Sequence, residues 1–152
     1  MDFIFALPQL KHPSDQLQWG NLQGAALPLS IANLVTQHSG VYVLLVADTP
    51  TALRLEQELA VFLTDNSCPL LTLPDWETLP YDVFSPHQDI ISQRLKTLYQ
   101  LPRLSRALVI VPVSTALLRI CNRDHLEQHS FIIKKGQQVD LAALKRQLAA
   151  VG

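Results

Sequence analysis

The sequence predicts an α/β domain with an open parallel sheet flanked by helices, on three observations. Two short apolar runs, VYVLLVA at 41–47 and ALVIV at 107–111, are continuous rather than alternating. That is the pattern of strands buried on both faces of a helix-covered parallel sheet. Between and before them lie segments whose apolar residues recur at spacings of three and four, the period of a helix. Strand and helix patterns alternate three times, so the crossovers should be right-handed. The 152 residues suffice for one domain with a proper core, and 48% hydrophobic with 16% charged residues is a globular balance.

Each element has its own signals. Residues 1–20 are irregular, interrupted by Pro8 and Pro13, although Phe3, Phe5 and Leu7 alternate like a short edge strand or packed arm. Ala26–Gln37 reads as a helix with Leu27, Ile31, Leu34 and Val35 on one face and Gly40 past its end. Val41–Ala47 is the first strand. Thr49 can cap the next helix, Pro50 opens it, and Ala52, Leu55, Leu59 and Phe62 form its buried face. Pro69–Leu73 is a short second strand.

A further helix is predicted from Ser85 as cap, with Pro86 at the first helical position and Gln88 three after the cap. Asp89 falls in the first turn, where the helix dipole favours an anion. Ile91, Leu95 and Leu98 give its apolar face, and Pro102 ends it. Ala107–Val111 is the third strand. Ser114 or Thr115 caps a short helix carrying Leu117 and Leu118, and Asp124 and Glu127 frame another cap. After about Gln128 the pattern changes. Ser130–Lys134 reads as a strand, Lys135-Gly136 as a turn, and Asp140 as the cap of a helix aligning Leu141, Leu144 and Leu148. There is no internal repeat or low-complexity tract.

Composition excludes several function classes. The net charge of −1 lacks the basic excess of a strong phosphate-backbone binder. Cys68 and Cys121 form no CxxC and read as reduced thiols of a cytoplasmic protein. Of the five histidines only His125 and His129 share a ligand-like spacing, with nothing nearby to complete a metal site. No apolar run approaches the roughly 18 residues of a membrane helix. MDFIFALPQLKHPSD has neither the basic start nor the long apolar core of a signal peptide.

The most distinctive stretch is Leu73–Leu101, LPDWETLPYDVFSPHQDIISQRLKTLYQL. Pro74, Pro80 and Pro86 break its first half every six residues, around Asp75, Trp76, Glu77, Tyr81, Asp82 and Phe84. With His87 and Asp89, these are the candidate residues of an interaction surface or of an internal clamp. Trp76, Tyr81 and Phe84 want burial, which favours the clamp. As isolated carboxylates, Asp75, Glu77, Asp82 and Asp89 read as solvated loop acids rather than an acid–base pair. Ser114 and His125 have no nucleophile-elbow context. Lys134, Lys135, Arg103, Arg106, Arg119 and Arg123 read as solvated faces, with Arg103 and Arg106 placed for a weak nucleic-acid contact.

DWETLPYD followed by FSPHQDIISQRL resembles the N-terminal region of the bacterial transcription-repair coupling factors. The resemblance is ungapped here and extends more loosely from about Leu22 to Val151. It implies a fold like domain 1a of the excision-repair helicase subunit UvrB, a degenerate P-loop NTPase, over residues 1–128. It also implies that 129–152 open a small α+β subdomain of the UvrA-binding type, of which the sequence holds the first strand and helix.

That resemblance fixes where a phosphate loop would lie. GxxxxGK[ST] falls on Asn21-Leu22-Gln23-Gly24-Ala25-Ala26-Leu27-Pro28, with Ser30-Ile31-Ala32-Asn33 setting the register. Asn21 and Ala26 replace glycines, Leu27 replaces the phosphate-binding lysine, and Pro28 replaces the Mg²⁺-holding hydroxyl. Only Gly24 keeps the flexibility of such a loop. Each lost charge-assisted contact costs about 2–3 kcal/mol of nucleotide binding. UvrB's tyrosine-rich DNA-gripping hairpin is also reduced here to Pro80–Asp89, with Tyr81 and Phe84 its only aromatics and no Lys or Arg for stacking on a strand.

The resemblance therefore implies a non-catalytic adaptor with no cofactor of its own. It would sit in a parent protein that uses ATP and Mg²⁺ elsewhere, displaces RNA polymerase stalled on damaged DNA and recruits UvrA, mainly through residues beyond 152. The alternative is the first domain of an active ATP-dependent DNA helicase. That would need a P-loop lysine, and none occurs between Lys11 and Lys96. A third reading is a regulatory domain taking a small ligand in the crevice at the carboxyl ends of the strands.

Overall fold

The computed structural model describes residues 12, 14–64, 68–78, 83–130, 133 and 135–151. The elements run α1 (Ala26–Gln37), β1 (Val41–Val46), α2 (Thr49–Phe62), β2 (Leu70–Thr72), α3 (Gln88–Gln100), β3 (Ala107–Pro112), α4 (Val113–Ala116), α5 (Arg123–His129) and α6 (Leu141–Val151). The three strands form one parallel sheet in the order β1-β3-β2. Val41 pairs with Ala107 and Val46 with Pro112, while Leu70 pairs with Leu108 and Thr72 with Ile110. The open parallel α/β sheet expected from the apolar runs is the one observed.

Period-two alternation sorts the strand residues onto two faces. On one face, Val46, Leu108 and Ile110 meet Ile31, Ala32 and Val35 of α1 and Ala52, Leu55 and Leu59 of α2, with Tyr42, Leu44 and Leu70 at the margin. On the other, Val109, Val111 and Leu73 are covered by Leu98 and by Leu101, which opens a 3₁₀ turn after α3. β3 is therefore buried throughout. β1 departs from expectation: Val41, Val43 and Leu45 are 44%, 59% and 58% exposed. α3 lies over β2 and β3, and among the described residues that face of β1 stays open.

Helix starts also differ from the sequence reading. Asp48, not Thr49, caps α2, accepting from the Thr51 amide at 2.8 Å. α3 begins at Gln88 with His87 as cap, so Ser85 and Pro86 lie outside it. His87 has extended backbone and an acceptor nitrogen aimed at the Asp89 amide, which lets it replace the expected serine. Pro112 precedes α4, so Ser114 and Thr115 lie within it rather than capping it, and Leu117 is 82% exposed. Asn122 caps α5, accepting from the Asp124 amide at 2.8 Å.

Asp140 caps α6 as expected, accepting from Ala142 and Ala143, and residues 135 and 136 form the predicted turn. The 1–10 arm and most of the strand expected at 130–134 lie outside the described residues. No described helix is long and apolar enough to cross a membrane.

Candidate functional site

Two places carry the candidate chemistry: the start of α1 and the turn that follows β2. Before α1 the chain runs without strand structure from Asp15 to Gln23. Asn21 and Gly24 both take left-handed backbone, with φ of 59° and 55°. A Cβ on Gly24 would meet nothing within 4 Å, so its open side is solvent. Ala25 caps the helix without a side-chain hydrogen bond. The Ala26 amide donates to the Gln23 carbonyl at 3.1 Å, and the Leu29 amide to Ala25 at 3.1 Å. Pro28 has no amide at all.

The side chains turn inward. Pro28 is fully buried and Leu27 packs half-buried against the core with Ile31 and Val35, while Ala26 is half-buried. An anion at this helix start would find one unspent first-turn amide, no cation and no hydroxyl.

The turn after β2 is held from three sides. Backbone pairing continues one residue past the strand, with the Leu73 amide donating to Ile110 at 2.9 Å. From α3, Thr97 donates to the Thr72 carbonyl at 2.8 Å. Arg94, 3% exposed, donates to the Pro74 carbonyl and lies over the Trp76 ring at 4.2 Å from its centroid. From α4, the Ser114 hydroxyl donates to Oδ2 of Asp75, whose Oδ1 accepts from the Trp76 amide at 2.7 Å. Burial pulls the Arg94 guanidinium below its ordinary pKa, and the Asp75 carboxylate opposes that shift.

Glu77 follows, exposed and in left-handed backbone with φ of 56°. A non-glycine residue held there is uncommon, and persists where the surroundings over-determine it.

The predicted loop residues thus divide. Asp75 and Trp76 are half-buried and tied down, and Glu77 projects from them. Tyr81 and Asp82 lie outside the described residues. Phe84, expected to seek burial, is 76% exposed, because none of the described residues covers it. His87 and Asp89 are solvent-exposed partners 3.4 Å apart at the start of α3.

Sequence reasoning missed Arg94, Thr97 and Ser114. The buried face of α3 carries Arg94 and Thr97 where an apolar stripe was expected, and Leu95 is 40% exposed. Helical spacing from Arg94 to Thr97 and Leu98 was the available signal.

The basic residues considered for nucleic acid are engaged within the chain. Arg106 is half-buried and donates to the Thr36 carbonyl at 3.1 Å, so it ties α1 to the start of β3 rather than facing solvent. Arg103 stacks on Tyr99 at 3.9 Å and sits 3.5 Å from Glu127. Arg123 bonds the same carboxylate at 3.0 Å, and its hydrogen bond holds Glu127 below the usual carboxylate range. Among the described residues, no three His, Cys, Asp or Glu side chains form a group able to hold a metal ion.

No protein-family model matches the sequence. Over 138 residues, 91% of the chain, it is 47% identical to the transcription-repair-coupling factor of Escherichia coli strain K12. Over 140 residues, 92% of the chain, it is 36% identical to the transcription-repair-coupling factor of Haemophilus influenzae. The match spans 12% of the length of each relative. The chain is therefore homologous to one region of transcription-repair-coupling factor.

Proposed function

We propose that this chain, as a homologue of one region of transcription-repair-coupling factor, works as a non-catalytic recognition module within a longer protein. Residues 1–128 are its UvrB-like, nucleotide-free scaffold, and 129–152 open the small subdomain that follows. ATP and Mg²⁺ act in a motor elsewhere in that protein. RNA polymerase and DNA are contacts of the whole, and UvrA is reached mainly through residues after 152. The site of action is the cytoplasm.

One observation carries this reading. Pro28 and Leu27, at the positions of a phosphate loop's hydroxyl and lysine, are packed into the core rather than presented to a ligand. A phosphate loop works by aiming successive amides and a lysine at the phosphates. Here one of those amides is missing, others are bonded, and the cation is a leucine. A fold that keeps its sheet without such a site is suited to displaying surfaces. The turn at Asp75–Glu77 is the surface best prepared for that role, since it is rigid at its base and exposed at its tip.

Calorimetric titration of the chain with MgATP tests the proposal. The expected result is no heat of binding at millimolar nucleotide. A micromolar dissociation constant would sink it and favour the helicase alternative.

A further inference from the structure

Arg94 is an odd residue to place where α3 meets the sheet. Its neighbours on that face are Thr97, Leu98 and the Val109 and Val111 cluster. Desolvating a guanidinium is costly, and a Met or Leu of similar volume would often serve the core as well or better. No described carboxylate forms a salt bridge with it. What it does touch is the turn: the Pro74 carbonyl and the face of Trp76. Ser114 grips the same turn through Asp75. The residue carried at the tip of this double brace is Glu77, exposed and in left-handed backbone.

Charge around the turn is one-sided. Residues 55–93 contain seven carboxylate side chains and not one Lys or Arg. Phosphate would be repelled there, and protein cations attracted.

We propose that Arg94 is a positioning residue, which holds Pro74–Glu77 as a preformed turn presenting the Glu77 carboxylate to a lysine- or arginine-bearing protein surface. The inference rests on the recognition-module reading and deepens it. The cation can belong to a separate protein or to another domain of the same polypeptide; the chemistry at Glu77 is the same.

The brace accounts for two features together. It fixes the indole plane, and it keeps Glu77 in a backbone region that an unbraced chain would leave. A preformed contact loses less conformational freedom on docking than one ordered by its partner.

The test uses the chain in a Trp19→Phe background, so that Trp76 is the only indole. The probe is an eight-residue oligolysine peptide at low ionic strength. Arg94→Met should leave a cooperative melt but open Trp76 to acrylamide quenching. It should also weaken oligolysine binding about threefold or more. General electrostatics predicts the opposite sign, because the variant loses a positive charge. Arg94→Lys keeps that charge without the planar fork and should weaken binding in the same way.

Glu77→Gln should weaken binding similarly, whereas Asp89→Asn, an equal change of charge at an equally exposed acid, should alter it less than twofold. Tighter or unchanged binding by Arg94→Met, equal losses for the two carboxylate variants, or no binding by the parent chain would each overturn the proposal. So would loss of folding in both Arg94 variants, which would make the residue merely structural. MgATP binding is measured separately, so failure of the recognition-module reading would be seen independently.

Discussion

Rebuilding the lost phosphate loop should break the fold before it restores a site. The perturbation is Leu27→Lys with Pro28→Thr. Leu27 is half-buried against the core, so a lysine there forfeits about 1 kcal/mol of apolar burial. Pro28 is fully buried at the third helical position, where its missing amide costs no helical hydrogen bond. Threonine there brings a hydroxyl into the core, at about 1–3 kcal/mol if it finds no partner. It also frees the unfolded chain, at about 0.4–1 kcal/mol.

Together these reach roughly 3–5 kcal/mol, a large share of the about 5–15 kcal/mol that holds a typical domain. At about 2–4 °C per kcal/mol, melting should fall by roughly 10 °C or more. Calorimetry of parent and variant, with and without MgATP, is the assay. A variant that melts where the parent does, or that gains several degrees with MgATP, would refute the reasoning. Either result would mean that these side chains face a ligand and not the core.

Three other outcomes follow from the packing. Leu59→Ala removes a fully buried side chain between α2 and the sheet, and should cost about 2–5 kcal/mol in urea unfolding. Thr72→Val removes a buried hydroxyl that has no hydrogen-bond partner among the described residues. It should therefore leave stability unchanged or raise it by about 1 kcal/mol. Asp48 is held below its ordinary pKa by its hydrogen bonds with Thr51. A depressed carboxylate contributes stability above its unfolded pKa and loses it as pH falls through the folded one. The parent chain should thus lose more melting temperature than Asp48→Ala when acidified below pH about 4.

Much of the fold was legible because its signals are local. The α1 bounds could be read from apolar period and Gly40, and the three strands from continuous Val, Leu and Ile runs. The caps were misplaced by one or more residues because Asp48, His87 and Asn122 compete with neighbouring serines and threonines for the same amides. The exposed face of β1 was not legible. A continuous apolar run states that both sides are meant to be covered, but does not say by which segment.

At the candidate site, the sequence marked Asp75, Trp76 and Glu77 by their rarity but not their anchors. Arg94 and Ser114 lie 20 and 39 residues from their partners in the turn, a pairing that only tertiary structure reveals. The phosphate-loop substitutions could be listed from register alone. That Leu27 and Pro28 face inward required the helix to be placed on the sheet.

The central claim is that the start of α1 is core rather than cradle. Amide NMR of the labelled chain during a MgATP titration examines that helix start residue by residue. The account predicts that the signals of Gly24, Ala25 and Leu27 stay where they are at millimolar nucleotide. Saturable shifts confined to those amides would contradict it.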